Sequence, residues 1–371
     1  MNKNIPINRV ILEEGAERYS LTSEILRRVP AAADLITGVK PEDPCGVDDC
    51  SQDMDKNSLR LLDFPGEMLK ACPGTTNYIC CGYQILHVGT NCPLDCSYCI
   101  LQAYFNQPSL RIFVNLEDKI KSILNVIDND PNHIFRIGTG EFMDSLALDP
   151  IVDWVNLLLP SFSTRKNAVL ELKTKTEHID GLLSSPLRDR IIVSWSLNSP
   201  HVSSREEHRA PSVRKRLEAA RRCQMEGYVL GFHFDPLIEH PGWEDGYKKT
   251  LDMMDELIDP EGIIWISMGT LRYMPDLKYI IRKRHPQTHI LDGEFVSGLD
   301  GKMRYLKSIR IEMYAYMKSL LDQWHKDLGL YLCMESDEVW QAGMGWSVKT
   351  SEGLSDYLDN RVVKIFGTYK P

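Results

Sequence analysis

The sequence predicts an α/β fold: a partial barrel of six β/α units, preceded by an α/β extension and followed by a tail of helical and irregular segments. Two observations support this prediction. From residue 84 onward, strand-like apolar runs alternate with segments of helical periodicity. Several of these runs are almost continuously apolar, as in parallel strands that helices cover on both faces. We therefore expect functional groups at the carboxyl ends of the barrel strands.

The elements follow one another in a regular order. The extension has a strand at 8–13, a helix at 21–29 and a loop at 37–55, where Gly, Pro and Asp are frequent. The barrel strands are predicted at 84–88, 133–138, 168–173, 191–196, 228–234 and 262–268. The helices are predicted at 116–127, 150–159, 178–183, 212–227, 243–257 and 275–284. A long helix at 302–326, a strand at 331–335 and an irregular tail complete the chain, which gives three expected regions: 1–80, 81–300 and 301–371.

Composition excludes several classes of protein. Of the 371 residues, 43% are hydrophobic and 26% are charged, which excludes a disordered chain. No apolar run reaches the length of a membrane span, and the N-terminus lacks the apolar stretch of a signal peptide, so we expect a soluble, cytoplasmic protein with no membrane partner. The net charge of -9 does not favour nonspecific nucleic-acid binding, although basic clusters occur at 205–222 and 282–285.

Cysteines are concentrated in the first part of the chain. Eight of the ten lie from Cys45 to Cys99, and reduced thiols in a cytoplasmic protein suggest metal binding. Directly after the first barrel strand comes a CxxxCxxC loop formed by Cys92, Cys96 and Cys99. Three thiolates on one short loop suit three irons of a cubane cluster and leave the fourth iron open. The alternatives are ordinary loop thiols or part of a zinc site.

This loop resembles that of the radical S-adenosylmethionine (radical SAM) enzymes, in which an aromatic residue also precedes the third cysteine. The resemblance implies a [4Fe–4S] cluster held by the three cysteines, with SAM on the open iron and cleaved to a 5′-deoxyadenosyl radical. It implies that Tyr98 supports the cluster and the adenine end of SAM. The segment Gly138, Thr139, Gly140 and Glu141 is similar to the family's glycine-rich acidic motif, which holds the methionine ammonium.

The likeness is closest to the spore photoproduct lyase branch of that family. The matching segments include NCPLDCSYCILQAYFNQP (91–108), TKTEHID (174–180), SLN (196–198), HRAPSVRKR (208–216), GYVLGFHFDPLI (227–238), GWEDGY (242–247) and GTLRY (269–273). The resemblance implies that Lys175 meets the SAM carboxylate and Ser196 the ribose or the carboxylate, with Asn198 at the same strand end. His233 and Asp235 alternate with phenylalanines, so both polar side chains are expected inside the barrel, near SAM or substrate.

Two departures from the lyase concern its chemistry. The family's hydrogen-donating Cys is absent from the segment FRIGTGEFMDSL (135–146), and Ile100 stands where the lyase has a Tyr after the third cluster cysteine. These departures predict either another hydrogen donor, Cys333 or Tyr273, or another reaction.

The remaining cysteines leave two interpretations open. Cys45, Cys50, Cys72, Cys80 and Cys81 are enough for a second cluster or a zinc ion, but thiols are also common in protein cores. We expect Cys223, on a helix, to belong to the core.

The leading hypothesis is a radical SAM enzyme of the lyase type. Its substrate would be a DNA photolesion or another nucleic-acid base, and a flavodoxin or ferredoxin would supply electrons. One alternative is a radical SAM enzyme that acts on a small molecule or peptide, which the missing donor and the acidic charge favour. The other is a zinc-binding module without enzymatic activity.

Overall fold

The computed structural model describes residues 7–41, 55–75 and 77–367. Cys45 and Cys50 therefore lie outside the described residues. Two sheets dominate this part of the chain, one of five strands and one of eight. Among the described residues, no helix combines the length and the apolar character that a membrane crossing requires.

The five-stranded sheet has the order β2-β1-β3-β8-β6. All its neighbouring strands are parallel except β6 and β8. Helix α1 contributes Leu21 and Ile25, which lie one turn apart and are buried, to the hydrophobic core. The elements are β1 Arg9–Glu13, α1 Ser20–Arg28, β2 Asp34–Val39, β3 Ser58–Leu62, β6 Gly89–Thr90 and β8 Leu110–Phe113.

The eight-stranded sheet has the order β18-β14-β13-β11-β10-β9-β5-β4 and forms the predicted partial barrel. All neighbouring strands are parallel except β4 and β5. The strands are β4 Leu69–Ala71, β5 Gln84–Leu86, β9 Phe135–Gly138, β10 Ala168–Thr174, β11 Ile191–Ser196, β13 Val229–Leu237, β14 Ile263–Thr270 and β18 Leu330–Leu332. The fold class is confirmed, and the strand predicted at 331–335 joins the sheet as β18.

Helices follow most of the barrel strands in the chain, and several pack against them, as the continuous apolar strands require. They are α2 Leu101–Tyr104, α3 Leu116–Asn129, α4 Asp149–Val152, α5 Trp154–Phe162, α6 Asp180–Ser184, α7 Pro200–Glu206, α8 Val213–Met225, α9 Trp243–Leu257, α10 Leu277–Arg284 and α11 Lys307–Trp324. Two small sheets pair the short strands β7 Asp95–Cys96 with β12 Glu207–His208, and β15 Arg272–Tyr273 with β17 Met303–Tyr305 and β16 Phe295–Ser297.

Three local predictions are wrong, the first of them in part. Of the predicted loop at 37–55, residues 37–39 belong to strand β2, and residues 42–54 lie outside the described residues. The long helix starts at Lys307 because the residues before it pair as β17. The irregular tail is instead two helices, α12 Asp337–Met344 and α13 Ser351–Phe366. The hydroxyls of Ser336 and Thr350 cap their N-termini by accepting backbone N–H groups of the first turn.

The expected regions 1–80 and 81–300 share their sheets. Strands β6 and β8 come after residue 80 but belong to the five-stranded sheet, whereas β4 comes before it and extends the barrel sheet. The boundary at residue 80 stays a prediction, although each of the two sheets contains strands from both sides of it.

Candidate active site

A cavity of about 310 Å³ lies at the carboxyl ends of the barrel strands. Its walls are the CxxxCxxC loop, the ends of the central strands and the segment that follows β18. Most of the residues predicted from sequence line it: Cys92, Cys96, Tyr98, Cys99, Gly140, Glu141, Lys175, Ser196, His233, Asp235 and Cys333, together with Cys72, Cys80 and Cys81.

The cysteine loop is held in place by side chains that bind its backbone carbonyls. The Lys56 ammonium, which is buried, donates to the carbonyl of Cys92 at 3.0 Å and to that of Leu94. The Gln102 amide donates to the carbonyls of Cys96 at 3.2 Å and Cys99 at 3.2 Å. These contacts satisfy carbonyl groups for which a short loop offers few backbone partners.

A second set of contacts ties the loop to strand β12. Glu207 pairs with Cys96 in the short β7–β12 ladder, and the Tyr98 hydroxyl donates to the Glu207 carboxylate. The Arg216 guanidinium lies 2.5 Å from the same carboxylate, and both side chains are fully buried. Burial favours a raised pKa of Glu207, but the charges of Arg216 and Lys175 outweigh it and lower the pKa. The loop is thus anchored on a buried ion pair.

The thiols of the loop suit a cluster better than a single metal ion. Across the described residues, no group of three or more His, Cys, Asp or Glu side chains is arranged to hold one metal ion. Burial raises the pKa of the Cys96 thiol to about 12, although the nearby Lys175 ammonium opposes the rise. A cationic cluster held by the three loop cysteines would supply the charge that favours the thiolate form.

The same finding leaves the second metal without support. Cys72, Cys80 and Cys81 are free thiols and belong to no group of described residues that could hold an ion. The alternative of a zinc-binding module likewise has no assembled zinc site among the described residues.

The glycine-rich motif after β9 is shaped by close packing. A Cβ at Gly138 would overlap the Tyr83 hydroxyl and lie 2.7 Å from the carbonyl oxygen of Glu171, so only glycine fits there. The Thr139 hydroxyl points away from the cavity lining and donates to Ser145 at 2.7 Å. Glu141 lines the cavity, where its carboxylate pairs with the ammonium of Lys173.

Asp144, which sequence reasoning missed, organises the end of β10. Its carboxylate accepts the backbone N–H of Lys175 at 2.7 Å and the hydroxyl of Thr174 at 2.7 Å. The Lys175 ammonium lies 5.7 Å from the centroid of the Tyr98 ring, within the range of a cation–π contact. Two predicted residues from distant segments therefore meet.

Glu171 is a buried carboxylate at the centre of the strand ends. It accepts hydrogen bonds from Trp265 Nε1 at 2.9 Å and from the Ser194 hydroxyl, and His233 Nε2 lies 2.9 Å away. Burial favours a raised pKa of Glu171, yet the neighbouring His233 more than reverses this, and the pKa falls to about 2. A lone acid in the apolar run AVLELK (168–173) was the signal for this residue.

Asp235 is paired as well, with a residue that sequence reasoning did not single out. Arg272 binds its two carboxylate oxygens at 3.1 and 2.9 Å, and both side chains line the cavity. This bidentate pair places a guanidinium at the cavity wall.

Some predicted residues stand apart from the cavity lining. The Tyr273 ring packs against Phe295, with centroids 5.1 Å apart. Asn198 accepts from the Tyr247 hydroxyl at 2.6 Å and donates to the carbonyl of Pro236 at 2.9 Å. Tyr273 and Asn198 therefore take part in packing and hydrogen bonding around the cavity and not in its lining.

Comparisons with known proteins find relatives of one family. A family model described as spore photoproduct lyase matches residues 78–329. Spore photoproduct lyase of Geobacillus sp. is 27% identical over 206 residues, covering 55% of this chain and 60% of that protein. Spore photoproduct lyase of Clostridium acetobutylicum is 25% identical over 318 residues, covering 81% and 89% of the two chains. The chain thus spans about three fifths of the first of these relatives.

A solved structure of spore photoproduct lyase complexed with dinucleoside spore photoproduct superposes with a TM-score of 0.77 at 22% identity, covering 89% of this chain and 99% of the other. A mutant of spore photoproduct lyase with bound AdoMet and dinucleoside spore photoproduct also superposes with a TM-score of 0.77. At this identity the likeness shows a shared fold.

Proposed function

Because the chain belongs to the spore photoproduct lyase family, we propose that it is a radical SAM enzyme of the lyase type. The observation that carries the proposal is the shared cavity, where the three cysteines of one loop meet Glu141, Lys175 and other polar strand-end residues. When bound, a [4Fe–4S] cluster and SAM supply a 5′-deoxyadenosyl radical that abstracts hydrogen from a substrate.

The residues of the cavity fit defined roles. Cys92, Cys96 and Cys99 hold the cluster, and Tyr98 keeps its ring beside the loop through its bond to Glu207. Gly138 and Gly140 let the backbone approach closely, and Glu141 offers a carboxylate to the SAM ammonium. Lys175 offers its charge to the SAM carboxylate, and Ser196 its hydroxyl to the carboxylate or the ribose.

His233 and Asp235 orient the neighbouring groups. His233 is held by its hydrogen bond with Glu171, and Asp235 is held by its ion pair with Arg272. Such fixed side chains keep the bound ligand oriented and the radical away from water.

For the substrate we propose a DNA photolesion. Two solved relatives carry a dinucleoside spore photoproduct, and this chain shares their fold over 89% of its length. A low-potential carrier of the flavodoxin or ferredoxin type would supply the electrons.

Anaerobic reconstitution tests the proposal. The protein should become brown, bind iron and sulfide, and release 5′-deoxyadenosine from SAM after reduction with dithionite. Cys96→Ala should lose iron and SAM cleavage, whereas Cys223→Ala, a matched thiol buried in helix α8, should keep both. Equal iron content and cleavage in the two variants would contradict the proposal.

A further inference from the structure

Two distant segments meet where the edges of the barrel sheet approach each other. Cys81 precedes strand β5, near one edge, and Cys333 follows β18, which is the other edge strand. The backbone N–H of Ile79 donates to the carbonyl of Glu335 at 2.9 Å and forms an isolated antiparallel bridge. We call residues 78–81 and 333–335 the seam.

The seam is held firmly on both sides. The backbone N–H of Cys333 donates to the carbonyl of Met268 at 2.9 Å, which extends the pairing of β18 with β14. The backbone N–H of Cys80 donates to the Ser351 hydroxyl at 3.0 Å, and the Arg304 guanidinium lies 4.1 Å from the centroid of the Tyr78 ring. The backbone of the seam is therefore fixed on both sides, and Cys80, Cys81 and Cys333 of the seam line the cavity.

The seam brings thiols close to one another. Cys81 lies two residues after Ile79 and Cys333 two residues before Glu335, the two residues of the bridge, and Cys80, Cys81 and Cys333 all line the cavity that also contains the CxxxCxxC loop. The neighbouring thiols of Cys333 and Cys80, together with burial, raise the pKa of the Cys81 thiol. They are free cysteines, and no group of described residues that includes them could hold a metal ion. Cys81 is buried and Cys333 is partly exposed toward the cavity. Packing alone does not require three thiols in one wall of a polar cavity.

We propose that Cys333 and Cys81 form a hydrogen-atom relay for the substrate radical, which rests on the proposed function. Cys333 is the catalytic donor, because its thiol is partly open to the cavity. Cys81 lies behind it, positions its sulfur and replenishes its hydrogen. Tyr273, the other donor considered from sequence, stands apart from the cavity lining and packs on Phe295.

The relay balances in atoms and electrons. The S–H bond of Cys333 breaks homolytically as a C–H bond forms on the substrate radical, which leaves a thiyl radical on Cys333. The S–H bond of Cys81 then breaks in the same way and restores the Cys333 thiol. One electron from a low-potential carrier protein and one proton from water restore the Cys81 thiol. Released 5′-deoxyadenosine and product should therefore form in equal amounts.

Solvent deuterium tests the relay, because thiol hydrogens exchange with water and carbon-bound hydrogens do not. In D₂O, the reconstituted wild type should turn over dinucleoside spore photoproduct into product that carries deuterium. Cys333→Ala should still release 5′-deoxyadenosine but should lose the deuterium from any product, and Cys333→Ser provides a second variant of similar size. Cys81→Ala should keep deuterium transfer in the first turnover and lose later ones. Cys223→Ala should behave as the wild type.

A second measurement needs neither cluster nor substrate. After mild oxidation of the purified chain with diamide, mass spectrometry of unreduced peptides should find a Cys81–Cys333 disulfide and none that includes Cys223. Absence of that disulfide, or deuterated product from Cys333→Ala, would overturn the relay. Failure of the wild type to release 5′-deoxyadenosine would instead contradict the proposed function, so the two failures are distinguishable.

Discussion

Removing Arg216 should destabilise the protein strongly, because its partner carboxylate has no access to water. The Arg216 and Glu207 side chains are both fully buried, with 2.5 Å between Nη2 and Oε2. Arg216 also donates to the carbonyls of Ser196 at 3.0 Å and Pro211 at 2.9 Å. Breaking a buried ion pair by removing one partner costs about 3–5 kcal/mol. Arg216→Met should lower the free energy of unfolding by about that amount, as measured by urea denaturation.

The cost should depend on pH. In the wild type the pKa of Glu207 lies below its ordinary value, because Arg216 outweighs the effect of burial. The stabilisation is therefore present above the ordinary carboxyl pKa and is lost as pH falls through the lowered value. In Arg216→Met, burial alone acts and raises the pKa of Glu207. The difference between the two proteins should be largest near neutral pH and should shrink in acid, as the carboxyl takes up a proton.

The same helix offers a matched control. Arg214 pairs with Glu256 at 2.7 Å, but both side chains are about half exposed. Arg214→Met should leave the free energy of unfolding nearly unchanged, because solvent screens such pairs. The double variant Glu207→Gln with Arg216→Met should recover part of the loss, since no buried charge remains. The reasoning is refuted if Arg216→Met costs no more than Arg214→Met, or if the double variant is the least stable.

Three further predictions concern the site. Lys56→Met should leave the carbonyls of the cysteine loop without their donor and lower the amount of iron retained after reconstitution. Lys56→Arg should retain more iron than Lys56→Met. Equal iron content in the wild type and both variants would contradict a positioning role for Lys56. Gly138→Ala should cost about 1–3 kcal/mol in thermal or urea unfolding, because its Cβ overlaps the Tyr83 hydroxyl; Tyr83→Phe should relieve part of this, and an additive double variant would speak against the overlap. Glu141→Gln should weaken SAM binding about tenfold, as the loss of one charge-assisted hydrogen bond implies; an unchanged dissociation constant in calorimetry would remove Glu141 from the SAM site.

Local patterns predicted most of the barrel. Strands β10, β11 and β13 begin or end within a few residues of their predicted bounds. Each is a long apolar run, as expected for a parallel strand that is buried on both faces of the sheet. The five-stranded sheet was mostly missed. Strand β3 is buried along its whole length, and the short strand β8 lies between the cysteine loop and a helix. Neither strand shows the alternation of apolar and polar residues that identifies a half-buried strand in a sequence.

The candidate site also contains residues that the sequence predicted and residues that it did not. Spacing identified the loop thiols, because all three lie within eight residues of one loop, and the family resemblance identified the acidic motif after β9. Glu171 and Arg272 were not identified, because each owes its role to a residue far away in the sequence, His233 and Asp235 respectively. Charge pairs of this kind are set by how the strands are arranged in the fold, and no local pattern records that arrangement.

The amino-acid sequence by itself determined the alternation of strands and helices and the spacing of the CxxxCxxC loop, because both depend on residues close together in the chain. The tertiary structure alone decided that Lys56 and Gln102 hold that loop and that Cys81 and Cys333 line the same cavity. The physical reason is that a curled sheet brings its two edge regions together, so contacts across the seam depend on the closure of the whole barrel.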